Sequence, residues 1–381
     1  MLRNRHMKDD AETVRADLLR PEEAADPSFT AAWTSLCDDL AEENPFYAPW
    51  SLAPALAAYA DTRVRLAVVW RGDILIGLVP VTPARGYARL PVGYWRNWTH
   101  PHCYFAAPLV RKNHTEIFFR ALFDLLCEGD DKRGFLRLGR IDGEGQSTQS
   151  ARLVAESEKR FCYQAGDAER ALLTAGASAE ATLAVFVRKK KRKELKRLRN
   201  RLDELGRVEI RQFGAGDDIG EWTQSFVDLE HCGWKGKKGT SLKANKKDAG
   251  WFSKTLEGAR EAGQLHIVRI DVDEKPIAML ANFLANGAGY SVKICYDPEF
   301  ARFSPGVMVE VEAMRFLLEK PDFRFMDSCA APDHSMINGL WRSRRVITGL
   351  NISANGISSK LGLRICRALE GARARLQAPK T

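Results

Sequence analysis

One order of elements occurs twice in this 381-residue chain, the copies about 200 residues apart, and that echo constrains the fold more than any other feature. Residues 64–70 are apolar and β-branched, Arg71-Gly72-Asp73 makes a turn, and residues 74–82 are apolar again, which predicts a hairpin. Residues 265–270 and 276–283 repeat that rhythm across Asp271-Val272-Asp273-Glu274-Lys275. Ahead of the first hairpin, Phe29, Trp33, Leu36 and Leu40 recur at helical spacing behind Ser28, a residue able to cap the first turn. An aromatic-rich stretch (94–105), a helical pattern (115–127) and a strand (135–138) follow it. The rear half runs through a long helix over 182–205, a strand at 208–213 and helices at 219–231 and 250–262 before its hairpin. This alternation predicts an α/β (α+β) protein made by tandem duplication. The length suits two cores, since a single one stops growing near ~250–300 residues.

With 45% apolar and 28% charged residues the chain reads as globular rather than disordered. No stretch reaches the ~18 unbroken apolar residues of a membrane span; the best, 52–60, is short and contains Pro54. The first 17 residues carry Arg3, Arg5, Lys8, Asp9, Asp10 and Glu12 without an apolar core, so a secretory signal is not expected and a cytoplasmic location is. The eight cysteines contain no C-x-x-C pair and read as packed thiols rather than zinc ligands. The net charge of +9 is concentrated: residues 188–201 hold ten basic residues against the single acid Glu194, and the rest of the chain balances.

The strongest local signal lies just beyond the second hairpin. Residues 289–296 alternate as a strand, Asp297-Pro298 turns the chain, and Arg302-Phe303-Ser304-Pro305-Gly306 opens a helix carried by Val307, Val311, Met314 and Leu318. Ser304 suits the N-cap and Pro305 the first helical position. A strand at 323–327 follows, so the helix start, with its free N–H groups and positive dipole end, stands ready for a phosphate. At these residues the chain resembles the Gcn5-related acyltransferases, in the branch similar to cellulose-biosynthesis-associated acetyltransferases and, more remotely, to Fem-type peptidoglycan transferases. The resemblance rests on Arg197-Leu198-Arg199 before Gly206, Leu229-Glu230-His231 followed by Trp234, Lys275-Pro276-Ile277-Ala278, and Tyr296-Asp297-Pro298 with Ser304-Pro305-Gly306. It covers roughly 182–350. The front half, with Asn44-Pro45-Phe46 and the hairpin ending at Pro80, looks like a degenerate first lobe of the same branch.

The resemblance implies two tandem lobes, each a mixed twisted sheet flanked by helices. Their expected bounds are a polar leader 1–27, a degenerate lobe 28–178, an acyltransferase lobe 179–355 and a basic amphipathic tail 356–381. It also implies an acyl-coenzyme A thioester lying in a splay between two strands, attacked directly by an amine. Ser304 and Gly306 would hold the pyrophosphate, Arg302 would add charge, and backbone N–H groups near Val292 and Ile294 would stabilise the oxyanion. The usual Gln/Arg-x-x-Gly-x-Gly loop is replaced here by Arg302-Phe303-Ser304-Pro305-Gly306.

An alkylamine has a pKa of about 10, so attack calls for a base. His334, just past the strand ending at Asp327, is the first candidate, with Asp327 orienting its imidazole or binding the acceptor ammonium. The competing reading makes His334 a surface residue of a helix capped by Asp333. Glu230 and His231 are the second candidates, ending a helix before Gly233-Trp234-Lys235-Gly236; a histidine there also simply complements the helix dipole. Cys329 reads as packing rather than an acyl carrier. His100 and His102 look metal-like without a carboxylate cluster, and no metal is expected.

The basic run 188–201 calls for an anionic partner, because like charges on one helix repel. Anionic lipid headgroups, the phosphates of coenzyme A and transfer RNA all qualify. A second basic, partly amphipathic segment at 361–376 favours a membrane surface. The expected activity is acyl transfer to a primary amine of a lipid or envelope precursor at the inner face of a bacterial membrane. The first acceptor is a sphingoid base giving a ceramide, as in a bacterial ceramide-synthase-like enzyme, and the next an amino sugar. A Fem-like transferase using aminoacyl-transfer RNA is the alternative, and a duplicated scaffold without catalysis a third.

Overall fold

The computed structural model describes residues 7–9, 12–176 and 178–377. It divides into two compact units, Met1–Ala168 with Val346–Thr381, and Glu169–Arg345. The first contains β1 (Met7–Asp9), β2 (Glu12–Leu19), α1 (Pro27–Cys37), α2 (Pro49–Tyr59), β3 (Arg65–Arg71), β4 (Ile74–Tyr87), β5 (Leu90–Asn97), β6 (Leu109–Val110), α3 (Thr115–Phe123), β7 (Phe135–Asp142) and α4 (Gln146–Ser157). The chain leaves it within β8 (Cys162–Thr174). The second unit contains α5 (Ala179–Phe186), α6 (Lys189–Asp203), β9 (Val208–Gln212), α7 (Ile219–Cys232), α8 (Trp234–Lys237), α9 (Lys246–Glu261), β10 (Leu265–Val272), β11 (Lys275–Ala285), β12 (Ala288–Tyr296), α10 (Pro305–Leu318), β13 (Phe325–Asp327) and α11 (Ser335–Leu340). The chain crosses back within β14 (Ser343–Ser353) and ends in α12 (Ile357–Gln377).

The duplication expected from the hairpins is present in both units. Apart from the short β6 and α8, each runs strand, two helices, antiparallel hairpin, third strand, helix, parallel strand: β2-α1-α2-β3-β4-β5-α3-β7 and β9-α7-α9-β10-β11-β12-α10-β13. In each, the third strand meets the last in parallel over a few residues only. Trp95 and Arg96 face Leu136 and Arg137, while Ala288, Gly289 and Tyr290 face Phe325, Met326 and Asp327. Each unit is thus a mixed sheet with flanking helices, its parallel pair parting early. In the second unit the core lies between α10 and the sheet, where Val309, Ala313, Met314 and Leu317 pack with Ile277, Leu280, Met326 and Trp341. Burying each large side chain there stabilises by about 1.5–3 kcal/mol.

Several local expectations shift. Helix α1 is capped by Asp26, which accepts from the Ser28 and Phe29 amides at 2.9 and 3.1 Å, so it starts at Pro27 rather than behind Ser28. The long helix over 182–205 breaks at Val187, whose backbone is extended. Phe186 and Val187 are both buried, and adjacent residues of one helix do not share a face; the break lets both reach the core before the cationic run.

The lobe bounds shift too. Part of the leader is strand β2, paired with β3 from Val14↔Arg71 to Leu19↔Leu66; Arg3, Arg5 and Asp10 lie outside the described residues. The units part at 168/169 and 345/346 instead of 178/179 and 355/356, and α12 belongs to the first unit rather than forming a separate tail. The reason is long-range pairing: β14 pairs β7, and Leu363 and Cys366 of α12 pack with Tyr94, Phe135 and Tyr163.

Candidate functional site

The parting of β12 and β13 opens the second unit at the start of α10. Beyond Tyr290, β12 no longer pairs with β13, so along residues 291–296 that edge has no strand partner among the described residues. A bulge falls at Val292: Lys293 faces Ala281 and Ser291 faces Asn282, with Val292 as the extra residue. Ser304 stands at the N-cap position as expected, but with φ +56° and no side-chain capping bond; its carbonyl accepts from the Val307 and Met308 amides. The first turn of α10 is therefore not closed by a side chain, which leaves it available to an anion. A Cβ on Gly306 would lie 3.3 Å from the Tyr296 ring and 3.9 Å from Ile294 Cδ1, so glycine lets the helix start approach β12. Arg302 lies 4.8 Å over the Phe303 ring. Ser304, Gly306, Ile294 and the Val292 bulge thus belong to one place.

Lys293, next to the bulge, is held with Glu230 in the last turn of α7. Its side chain is 8% exposed, and its Nζ lies 3.8 Å from Glu230 Oε1, which also accepts from Lys235 Nζ at 2.6 Å. Glu230 Oε2 accepts from the Leu242 amide at 2.8 Å. Burial would raise the Glu230 carboxyl, but the Lys293 and Lys235 ammoniums and the hydrogen bonds outweigh it and hold it below its ordinary value. Burial, reinforced by the like charge of Lys235, pushes Lys293 down to about 8, against the pull of Glu230 and Asp248. His231 is exposed and its Nδ1 lies 2.9 Å from the Ser241 hydroxyl. The expected loop at 233–236 is instead the short helix α8, carrying an exposed Trp234 with Lys238 Nζ 5.2 Å over its ring.

His334 and Asp327 are not brought together. Asp327 is fully buried; its carboxylate accepts from the Cys329 amide at 2.8 Å and from Arg345 at 3.2 Å, and Arg170 lies 3.8 Å away. His334 is exposed and is itself the N-cap of α11, its Nδ1 accepting from the Ile337 amide at 3.5 Å, the place Asp333 was expected to take. The strand end directs Asp327 inward to two guanidiniums. Asp327→Ala is expected to destabilise the protein by about 3–5 kcal/mol, since it removes the buried carboxylate that both guanidiniums share. His334→Ala is expected to cost about 1 kcal/mol or less, the loss of a cap. Urea unfolding of the two variants checks both.

Two buried ionisable residues were missed from sequence. Lys293 interrupts the apolar strand, and Glu310 interrupts the apolar face of α10; a charge inside each run was the available signal. Glu310 lies one helical turn beyond Gly306, on the face turned to β12, and burial alone raises its carboxyl to about 8. Elsewhere, His100 stacks on Tyr59 at 5.4 Å and burial holds it down to about 3, a packed neutral ring. Among the described residues no group of three potential ligands could hold a metal ion, and no helix is long and apolar enough to cross a membrane.

Helix α6 buries Leu195, Leu198 and Leu202 and turns most of its cations to solvent. Lys191 pairs with Glu194 and Arg199 with Asp203. The helix packs against the Pro298–Phe303 turn that leads into α10, which sets the cationic run beside the helix start just described.

Residues 189–334 match the family model of the acetyltransferase (GNAT) domain. No curated protein matches the chain in sequence. Among solved structures, FemX is similar with a TM-score of 0.57 at 10% identity, over 90% of this chain and 98% of that one. A conserved protein of unknown function from Bacteroides thetaiotaomicron VPI-5482 is similar with a TM-score of 0.53 at 12% identity, over 93% of this chain and 100% of that one. At these identities the likeness is one of fold, extending over both units. The matched domain covers the elements that part around β12 and α10, so residues 189–334 carry an acetyltransferase (GNAT) domain.

Proposed function

We propose that this acyltransferase moves an acyl group from acyl-coenzyme A to the primary amine of a lipid-like acceptor. A sphingoid base is the first acceptor, giving a ceramide, and an amino sugar of an envelope precursor the next. The observation that carries the reading is the placement of Lys293, paired with Glu230 of α7, on β12, the same strand that abuts the uncapped start of α10. The α10 N-terminus, Ser304, Gly306 and Arg302 take the pyrophosphate. Free N–H groups of β12 around Val292 and Ile294 receive the thioester oxygen as it becomes an oxyanion. Neutral Lys293 removes a proton from the acceptor ammonium, and the Glu230 carboxylate stabilises the Lys293 ammonium that results. The amine nitrogen then bonds to the thioester carbon, the C–S bond breaks, and the thiol leaves with a proton. Glu230 and Lys293 replace His334 and Asp327 in this role; His231 supports the loop through Ser241.

What supports a lipid-like acceptor is the pair of basic segments, 188–201 and α12, which suit an anionic membrane surface as the site of work. A specific observation also favours a second reading: the solvent-facing cations of α6 adjoin the turn into α10, a setting that suits a polyanionic donor such as aminoacyl-transfer RNA. Calorimetric titration with acetyl-, octanoyl- and palmitoyl-coenzyme A decides between them. Binding that strengthens with chain length and disappears in Gly306→Glu, which puts a carboxylate and a bulky chain against Tyr296, supports the first. Absence of thioester binding together with steeply salt-dependent RNA binding supports the second.

A further inference from the structure

We infer that α12 docks the protein on an anionic phospholipid surface and that the cleft beside it takes a lipid phosphate. This deepens the acyl-transfer reading, whose lipid-like acceptor also leans on α12, but it uses residues of the other unit and its test is separate from that of the reaction. One face of α12 is committed to the first unit: Leu363 and Cys366 are buried with Tyr94 and Phe135. Glu370 fastens the same face, accepting from the Tyr87 and Tyr163 hydroxyls at 2.6 Å each. Away from that face, Ile357, Leu361, Ile365 and Leu369 recur every fourth residue and form one stripe, 86%, 55%, 45% and 42% exposed. Single exposed aliphatic residues are ordinary on a protein surface, whereas a line of four on one helix marks an interaction face.

The chemistry of the occupant is set by what flanks the stripe. Lys360, Arg364 and Arg367 lie along one side of it. An open cleft of about 920 Å³ separates α12 from the start of β8 and is lined by Phe161, Tyr163, Gln164, Arg364, Arg367 and Ala368. Arg364 lies 5.2 Å over the Phe161 ring and Arg367 5.8 Å over the Tyr163 ring. Neither guanidinium has a carboxylate partner among the described residues. Two guanidiniums held over aromatic rings keep N–H donors for an anion, and their fork geometry matches a phosphate. An apolar stripe bordered by cations is the pattern of a helix lying in the membrane interface. RNA would use the cations and leave the stripe in water. A second copy of the chain would cover the stripe while setting like charges against one another.

The test is flotation of the full-length protein with phosphatidylcholine vesicles, with and without phosphatidylglycerol. The protein is expected to float with the anionic vesicles and not with the neutral ones. Leu361→Asp with Ile365→Asp is expected to abolish flotation at raised salt, where adsorption through α6 alone is screened. Arg364→Ala with Arg367→Ala is expected to weaken it by about thirtyfold. All four positions are exposed, and unchanged thermal unfolding of the variants confirms that the fold is kept. Equal binding by the aspartate variant, or equal flotation with neutral vesicles, overturns the proposal. So does concentration-dependent dimerisation, seen in sedimentation and lost in Ile365→Asp, in a protein that does not float. Acyl-coenzyme A binding measured on the same variants is expected to be unchanged, which separates this result from that of the proposed reaction.

Discussion

Replacing Lys293 by methionine is expected to lower kcat by about 10²–10⁴-fold, the usual contribution of a positioned base, with thioester affinity retained. The side chain is large enough to keep the packing, so the loss reports the amine and not the fold. Lys293→Arg is expected not to rescue activity, because a guanidinium stays protonated. The wild-type rate is expected to rise with pH through about 8, where Lys293 becomes neutral. Glu230 pulls that value upward, so Glu230→Gln is expected to move the inflection to lower pH. Full activity in Lys293→Met would remove Lys293 from the mechanism. The same depressed value has a stability consequence. The folded chain releases its proton near 8 and the unfolded chain near 10.5, so the unfolded state binds more protons between those values and stability rises with pH across that window. Below about 8 the penalty of burying the ammonium is complete, and Lys293→Met is expected to be the more stable protein there.

The second large effect belongs to Glu310. Its folded carboxyl titrates at about 8 against an ordinary 4.5, so the folded chain holds a proton that the unfolded chain has lost. Stability is therefore complete below 4.5 and is lost as pH rises through about 8. Glu310→Gln keeps the shape and removes the charge. It is expected to be more stable than wild type by an amount on the order of 4 kcal/mol at about pH 9, the difference shrinking to nothing at about pH 4. Thermal unfolding followed by near-ultraviolet dichroism at several pH values measures this; a constant offset between the two proteins would mean that Glu310 is ionised in the fold.

These two residues show where sequence reading reached its limit. The hairpins, the strand over 288–296 and the helix from Pro305 were legible because each is written in local periodicity and turn residues. That Ser304 and Gly306 stand at a helix start beside β12 was legible for the same reason, since one continuous segment carries them. His334 and Asp327 were read as partners because they are close in the chain, yet one side chain points out as a cap and the other inward to Arg170 and Arg345. Lys293 and Glu230 are 63 positions apart and meet only because α7 packs on β12.

What the sequence determined by itself is therefore the repeated order of elements, the cationic character of α6 and the start of α10 at Pro305. All three depend on neighbours within a few residues, where backbone propensity, capping and side-chain period act directly. The tertiary structure decided the rest: the unit bounds inside β8 and β14, the face of α12 left to solvent, and the ionisation of Lys293 and Glu310. Each of these depends on which distant groups exclude water from a given side chain, and burial of that kind is a property of packing that no local pattern encodes.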